Sequence, residues 1–257
     1  MIFEKYFCGQ HPNAAQKALW DMVKAECTER PYTETIRRRV AGVYADICTD
    51  IFYVAHEGGR CYSRLYTSWG KHKDSIGNFG HFVTLEECRG QGIGREVLKI
   101  WADDIYSRSD VPLGLFCTAT AQIAELYRPY GFREIDPNAK GGYLYCPLGN
   151  SPESFRELCD QYYQPSDILI HRPASMEYRH ELDCLLRFAL SLNGDKDFPA
   201  GGYYYLEELI ITEPRRVGML FSKDNHCVGY TIDGNIAKVH PQYRNATIID
   251  HTKRRPK

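Results

Sequence analysis

The sequence predicts a mixed α/β chain, and three observations carry that reading. Apolar residues recur at helical spacing, most clearly Val97, Leu98, Trp101 and Ile105. Short runs rich in β-branched and aromatic residues, such as Ile51 to Ala55, Cys61 to Tyr66 and Leu113 to Thr118, are bounded by glycine or polar turns. The two kinds of segment alternate up to about residue 147, the order of a mixed sheet covered by helices.

Each element has its own signal. A first helix is expected from Asn13 to Cys27, where Ala15, Leu19, Met22 and Val23 share a side and Pro12 stands ahead as a start signal. A second runs from Thr33 to Ala45. The runs at Ile51 to Ala55 and Cys61 to Tyr66 flank Gly58-Gly59 and read as a hairpin. A polar loop through Lys71 to Asp74 leads to a third strand, Gly77 to Leu85. After a glycine-rich turn, a helix from Arg95 presents one apolar face to the sheet. Leu113 to Thr118 is a further strand, and Ala121 to Arg128 a helix that Pro129 and Gly131 end. Phe132 to Ile135 and Tyr143 to Cys146 complete a domain at residues 1–147.

Residues 148–167 place prolines and a glycine around a short amphipathic piece and read as a linker. Residues 168–257 read as a smaller α+β domain. It begins with a helix from Ser175 to Leu192. Glu207 to Thr212 fits helix or strand, and Gly218 to Phe221, Cys227 to Ile232 and Ile236 to Val239 read as three antiparallel strands.

Composition limits the partners. Thirty-two basic and 33 acidic residues give a formal net charge of -1, which removes the bulk electrostatic argument for nucleic acid or an acidic membrane. A small molecule is the expected partner. Ten cysteines are scattered without a C-x-x-C pair or a Cys/His cluster at zinc spacing, so free thiols in a reducing cytoplasm and no metal are expected. Met1 to Tyr6 lacks the pattern of a signal peptide, and no apolar run is long enough to span a bilayer. Monomer and homodimer both stay open.

The most informative stretch is Arg89-Gly90-Gln91-Gly92-Ile93-Gly94, between the run Phe82 to Leu85 and a helix. Strand, glycine turn and helix start aim several backbone N–H groups at one point with the helix dipole behind them, which makes an anion cradle suited to a diphosphate. A Rossmann fingerprint fails because Arg95 fills the last glycine position, and no Gly-Lys-Ser/Thr of a Walker motif occurs.

Arg89, Gly92 and Gly94 do match Q/R-x-x-G-x-G/A, and Ala124, Tyr127, Gly131 and Phe132 match A-x-x-Tyr-x-x-x-Gly-Phe. With the order of helices and strands, residues 1–147 resemble the GCN5-related N-acetyltransferase (GNAT) family. The resemblance implies the acyl-CoA N-acyltransferase fold with acetyl-CoA as cosubstrate. It implies a diphosphate held at Arg89, Gly90, Gln91, Gly92, Ile93, Gly94 and Arg95, and a pantetheine arm paired with backbone near Phe82, Val83 and Thr84. Tyr127 is implied as the general acid on the departing thiolate. Thr120 stands where many members carry an asparagine, and can still make one hydrogen bond. Asn78 stands where some members carry a glutamate base, leaving His81 and Glu86 as substitutes. Cys117 lies near the expected thioester, but no activating base is evident beside it, so direct attack is the expected route. The implied activity is acetyl transfer to a primary amine, of a small molecule, with a non-catalytic acyl-CoA sensor as the alternative.

The second half echoes the first. Strand, polar turn, strand opening on a cysteine, strand and a closing aromatic/Arg element occur at Phe52 to Arg89 and again at Met219 to Arg244. Tyr243-Arg244-Asn245-Ala246 has no Gly-x-Gly, so the second copy reads as a GNAT-like half domain without a CoA loop. Its expected role is to shape the acceptor pocket and to extend or pack against the first sheet. Gly201-Gly202-Tyr203-Tyr204-Tyr205 reads as ordinary packing or, alternatively, as an aromatic acceptor wall.

Overall fold

A computed structural model describes residues 1–10, 14–26, 32–136, 138, 140–189 and 202–251. The chain divides after Asn150 into two units. The first contains, in order, β1 (Ile2–Phe7), α1 (Ala14–Glu26), α2 (Tyr32–Val40), β2 (Cys48–Glu57), β3 (Arg60–Gly70), β4 (Gly77–Thr84), α3 (Ile93–Ser107), β5 (Gly114–Ala119), α4 (Ala121–Tyr127), β6 (Arg133–Glu134) and β7 (Gly142–Pro147). Its strands form one sheet in the order β1-β2-β3-β4-β5-β7-β6. Every pairing is antiparallel except β4 with β5.

The hairpin β2–β3 is the spine of this sheet. Gly58 and Gly59 turn at φ 57° and 79°, left-handed backbone that glycine adopts without a Cβ clash. On one face, α3 lays down Val97, Leu98, Trp101 and Ile105, each at most 1 % exposed. Phe79 and Phe132 meet Trp101 there, with Phe79 to Trp101 ring centroids 4.9 Å apart and edge-on. The other face is covered from α1 and α2 by Ala18, Leu19, Met22, Ile36 and Val40, packed on Phe52, Val54 and Tyr66. The second helix ends at Val40, not Ala45, because the chain must turn where Gly42 meets Gly9. A Cβ on Gly42 would lie 2.1 Å from the Gly9 Cα.

The second unit holds α5 (Phe155–Tyr162), β8 (Ile168–Pro173), α6 (Arg179–Cys184), α7 (Gly202–Thr212), β9 (Val217–Phe221), β10 (Cys227–Ile232), β11 (Asn235–Val239) and β12 (Thr247–Asp250). Its sheet runs β11-β10-β9-β8-β12, with β12 parallel to β8 and the rest antiparallel. The segment expected to be a linker carries α5, which buries Phe155, Leu158 and Tyr162. The long helix expected from Ser175 begins as a 3-10 turn, Met176–Tyr178, becomes α6 and passes into a π turn at Leu185–Ala189. Residues 190–192 lie outside the described part. Glu207 to Thr212 is helical, as part of α7. Among the described residues the unit's strands pair only with one another. Of the tyrosine run, Tyr205 is exposed; the side chains of Tyr203 and Tyr204, like Asn13, Cys27 and the basic tail, lie outside the described part.

Among the described residues, no group of three His, Cys, Asp or Glu could hold a metal ion. None of the described helices is long and apolar enough to cross a membrane.

Candidate active site

The site begins where two parallel strands part. β4 and β5 pair only at Gly77 with Leu115 and at Asn78 with Phe116. Two residues further along, β4 bulges: Gly80 pairs with Tyr66 and Val83 with Arg64, so Leu65 stands opposite both His81 and Phe82. His81 takes the left-handed conformation, φ 49°, usual for the first residue of such a bulge when it is glycine. Strict alternation would turn His81 to the face of Phe79. The bulge gives that place to Phe82, whose ring lies 6.0 Å from that of Tyr127. His81 is left edge-on to Tyr66, at 5.6 Å, on the α1/α2 face.

Past β4, a 3-10 turn at Glu86–Cys88 leads to the glycines. Gly90 and Gly92 hold φ 78° and 82°, and a Cβ on either would meet nothing within 4 Å. Gly92 is the N-cap of α3 and no side chain caps that helix. The amides of Arg95 and Glu96 bond to the Gly92 carbonyl at 2.9 and 3.2 Å. Those of Ile93 and Gly94 precede the helical ladder, at the positive end of its dipole. Gly94 answers a different need. A Cβ there would stand 2.9 Å from Thr84 Oγ1 and 3.1 Å from Phe82 Cζ, so its bareness lets α3 sit against the end of β4.

These parts open on a cleft of about 1130 Å³. One wall is Phe82, Val83 and Thr84; the floor is Arg89, Gly90, Gly92, Ile93, Gly94 and Arg95; the far wall is Gln122, Ile123, Glu125 and Leu126 with Pro129 and Tyr130. An open helix start, two arginines and an apolar wall can take an elongated ligand with an anionic head. Arg89 is exposed and its Nε donates to the Thr84 carbonyl at 3.2 Å. Gln91, expected in the cradle, instead donates from its amide to the Glu87 carbonyl at 3.0 Å and is not part of the lining.

The expected catalytic side chains do not gather at one point. Tyr127 is buried beside the cleft, its ring 5.0 Å from Phe79 and 5.6 Å from Phe132. Burial, reinforced by Cys117, pushes its phenol above the ordinary range, so it carries its proton at any ordinary pH. Burial and then the neighbouring Cys146 push the Cys117 thiol up as well, which keeps it from being a thiolate nucleophile. His81 lies on the opposite face of the sheet. Burial, then the charges of Arg64 and Arg39, push its imidazole down to about 3, which leaves it neutral and weakly basic. Glu86 is exposed on the 3-10 turn and does not line the cleft. Thr120 caps α4, its hydroxyl accepting from the Ile123 amide at 3.4 Å.

Sequence reasoning missed the α4 wall. The i, i+3 and i+4 spacing of Ile123, Ala124 and Tyr127 would put all three on one helix face, yet Ala124 and Tyr127 are buried while Ile123 is exposed and lines the cleft. The signal available was the apolar pair Ile123 and Leu126 outside the buried stripe.

With the geometry in place, comparison with known proteins adds the decisive observation: residues 49–134 match the family model of the acetyltransferase (GNAT) domain. The first unit carries a GNAT domain. The match classes the chain as an acyltransferase. The matched stretch runs from β2 into β6 and so contains the fork, the cradle, the α4 wall and Tyr127. Solved structures that the chain is similar to include an acyl-CoA N-acyltransferase from Pseudomonas aeruginosa, at 16 % identity and a TM-score of 0.41 over 56 % of this chain and 98 % of that one. Escherichia coli ElaA aligns at 12 % identity and a TM-score of 0.43 over 56 % and 98 %. A GNAT acetyltransferase from Brucella melitensis, solved with acetyl-CoA, aligns at 15 % identity and a TM-score of 0.39 over 59 % and 92 %. No curated protein sequence matches the chain.

Proposed function

We propose that the chain transfers acetyl from acetyl-CoA to the primary amine of a small molecule, by direct attack, at one site per chain. The observation that carries this reading is the uncapped start of α3 behind Gly90 and Gly92, opening on a cleft inside the GNAT domain. The first-turn amides with Arg89 and Arg95 would hold the diphosphate of acetyl-CoA, and the free edge of β4 at Phe82, Val83 and Thr84 would pair with the pantetheine arm. As the amine nitrogen forms its bond to the acetyl carbon and the carbon–sulfur bond breaks, Tyr127 gives its proton to the departing sulfur. The amine proton goes to water, and water restores the phenol. Burial keeps the proton on the phenol until the sulfur departs, and the same burial makes it a weaker acid than a free tyrosine, so the role rests on the place of Tyr127 beside the cleft. The near-neutral net charge supports a small acceptor. No metal is invoked.

Neither His81 nor Glu86 is assigned as base. The acceptor is taken in its free-amine form. That same scarcity of bases supports a second reading, a non-catalytic acyl-CoA sensor, with Asn78 where a carboxylate would help. Thiol release from acetyl-CoA across a panel of amines separates the two. Turnover with at least one amine, falling at least about tenfold in Tyr127→Phe, is the expected result. Tight CoA binding without turnover favours the sensor, and undiminished turnover in Tyr127→Phe removes the general acid.

The second unit is proposed as a truncated repeat of the first. In both, a strand, helices and three further strands are ordered alike, β1-β2-β3-β4 and β8-β9-β10-β11, all antiparallel. Each last strand runs into a 3-10 turn, Glu86–Cys88 or Pro241–Tyr243. Only the first continues into glycines and a helix; the second continues into β12.

A further inference from the structure

One side chain spans the fork. Asn78 is the last residue of β4 paired with β5, and its amide Nδ2 donates to the backbone carbonyl of Phe116 at 3.2 Å. Its own carbonyl accepts from Thr67 Oγ1 at 3.1 Å. Asn78 is therefore tied to β3 through its backbone and to β5 through its side chain, at the point where the strands begin to diverge.

The chemistry of the tie is specific. Only the N–H side of an amide can donate to a carbonyl, so the bond to Phe116 fixes the sense of the amide. Its Oδ1 then lies 3.4 Å from where a Cβ on Gly80 would stand, on the side of β4 that leads to the bulge. A carboxylate at this position would set lone pairs against the lone pairs of the Phe116 carbonyl. It would push the strands apart instead of joining them. The amide thus exchanges a possible base for a clasp.

We propose that Asn78 is a positioning residue that clasps the fork, fixes the stretch of β4 leading to Phe82, Val83 and Thr84 on the cleft wall, and so sets where the acyl end of a thioester lying along that wall rests. The proposal depends on the acyl-transfer reading for its consequence in catalysis, but not for its effect on binding. The cradle at Arg89 to Gly94 is built from other backbone, so loss of the clasp acts on the acyl end and leaves the diphosphate end alone.

CoA and acetyl-CoA are titrated separately into the full-length wild type, Asn78→Ala and Asn78→Asp by calorimetry, and kcat and KM are measured with an amine that reacts. In Asn78→Ala, the affinity for CoA is expected to stay within about twofold, while the wild-type preference for acetyl-CoA over CoA disappears and kcat falls about tenfold, on the scale of one hydrogen bond. The KM for acetyl-CoA changes less than kcat. Asn78→Asp, of equal size but without the donor, behaves like Asn78→Ala. The proposal is overturned if the acetyl-CoA preference is absent in the wild type or survives in Asn78→Ala, or if Asn78→Asp turns over like the wild type. Equal losses of CoA and acetyl-CoA affinity with a lower melting temperature also overturn it, since that is a merely structural role. If no amine reacts, the transferase reading fails, and the binding ratio still judges Asn78.

Discussion

Gly92 sits at φ 82° with open space around its missing Cβ, so the demand for glycine there comes from the backbone and from whatever approaches it. Gly92→Val is expected to weaken CoA binding at least about tenfold, because a β-branched residue resists this conformation and its side chain would occupy the cradle mouth. Calorimetry with CoA checks this, and an unchanged affinity would refute it. His81 makes a different prediction. Its imidazole is held down to about 3, and burial holds that of His240 down to about 4, whereas both titrate near 6.5 when unfolded. As pH falls below about 6.5 the unfolded chain takes up these protons first, so stability present above that value drains away toward pH 4 and 3. Urea midpoints at pH 7 and pH 4.5 should show the loss. His81→Asn, which tolerates left-handed backbone, should reduce it.

At the scale of elements, α3 is the main prop of the site, since its start forms the cradle and its buried stripe fixes that start against β4. Trp101→Ala is expected to cost about 3–5 kcal/mol, and Lys99→Ala on the exposed side of the same helix less than about 0.5 kcal/mol. Chemical denaturation of the two variants would measure the difference. The stripe and the glycine turn were legible in the sequence because each is local: the periodicity of Val97 to Ile105 and the spacing of Gly90, Gly92 and Gly94 need no knowledge of other segments. β1 was not legible. Glu4 and Lys5 interrupt its pattern, and only Tyr6 of its six residues is buried, as suits a sheet edge. β12, mostly exposed, was missed for the same reason. The separation of His81 from Tyr127 was hidden because one extra residue in β4 reverses every side chain after it, and register with β3 cannot be seen from β4 alone. The wall of the cleft from α4 was hidden because Gln122, Ile123 and Leu126 meet Phe82 to Thr84 only in three dimensions.

For the whole molecule, every residue lining the cleft lies between Phe82 and Tyr130, inside the first unit. A fragment of residues 1–150 is therefore expected to fold and to bind CoA within about twofold of the full chain, the margin of an ordinary binding measurement. A fragment that folds but does not bind CoA would assign part of the cofactor site to the second unit. The second unit has a feature with consequences during synthesis. β12 lies parallel to β8, and such neighbours can pair only after everything between them has been made. At ordinary translation rates, one side of β8 waits about 4 to 15 s for Thr247–Asp250 to emerge, a row of unpaired backbone groups on a nascent chain. Such an edge invites pairing with whatever strand is nearest. Ribosome crowding and the supply of chaperones, more than the equilibrium stability of the finished sheet, would then govern how much of this protein reaches its native form.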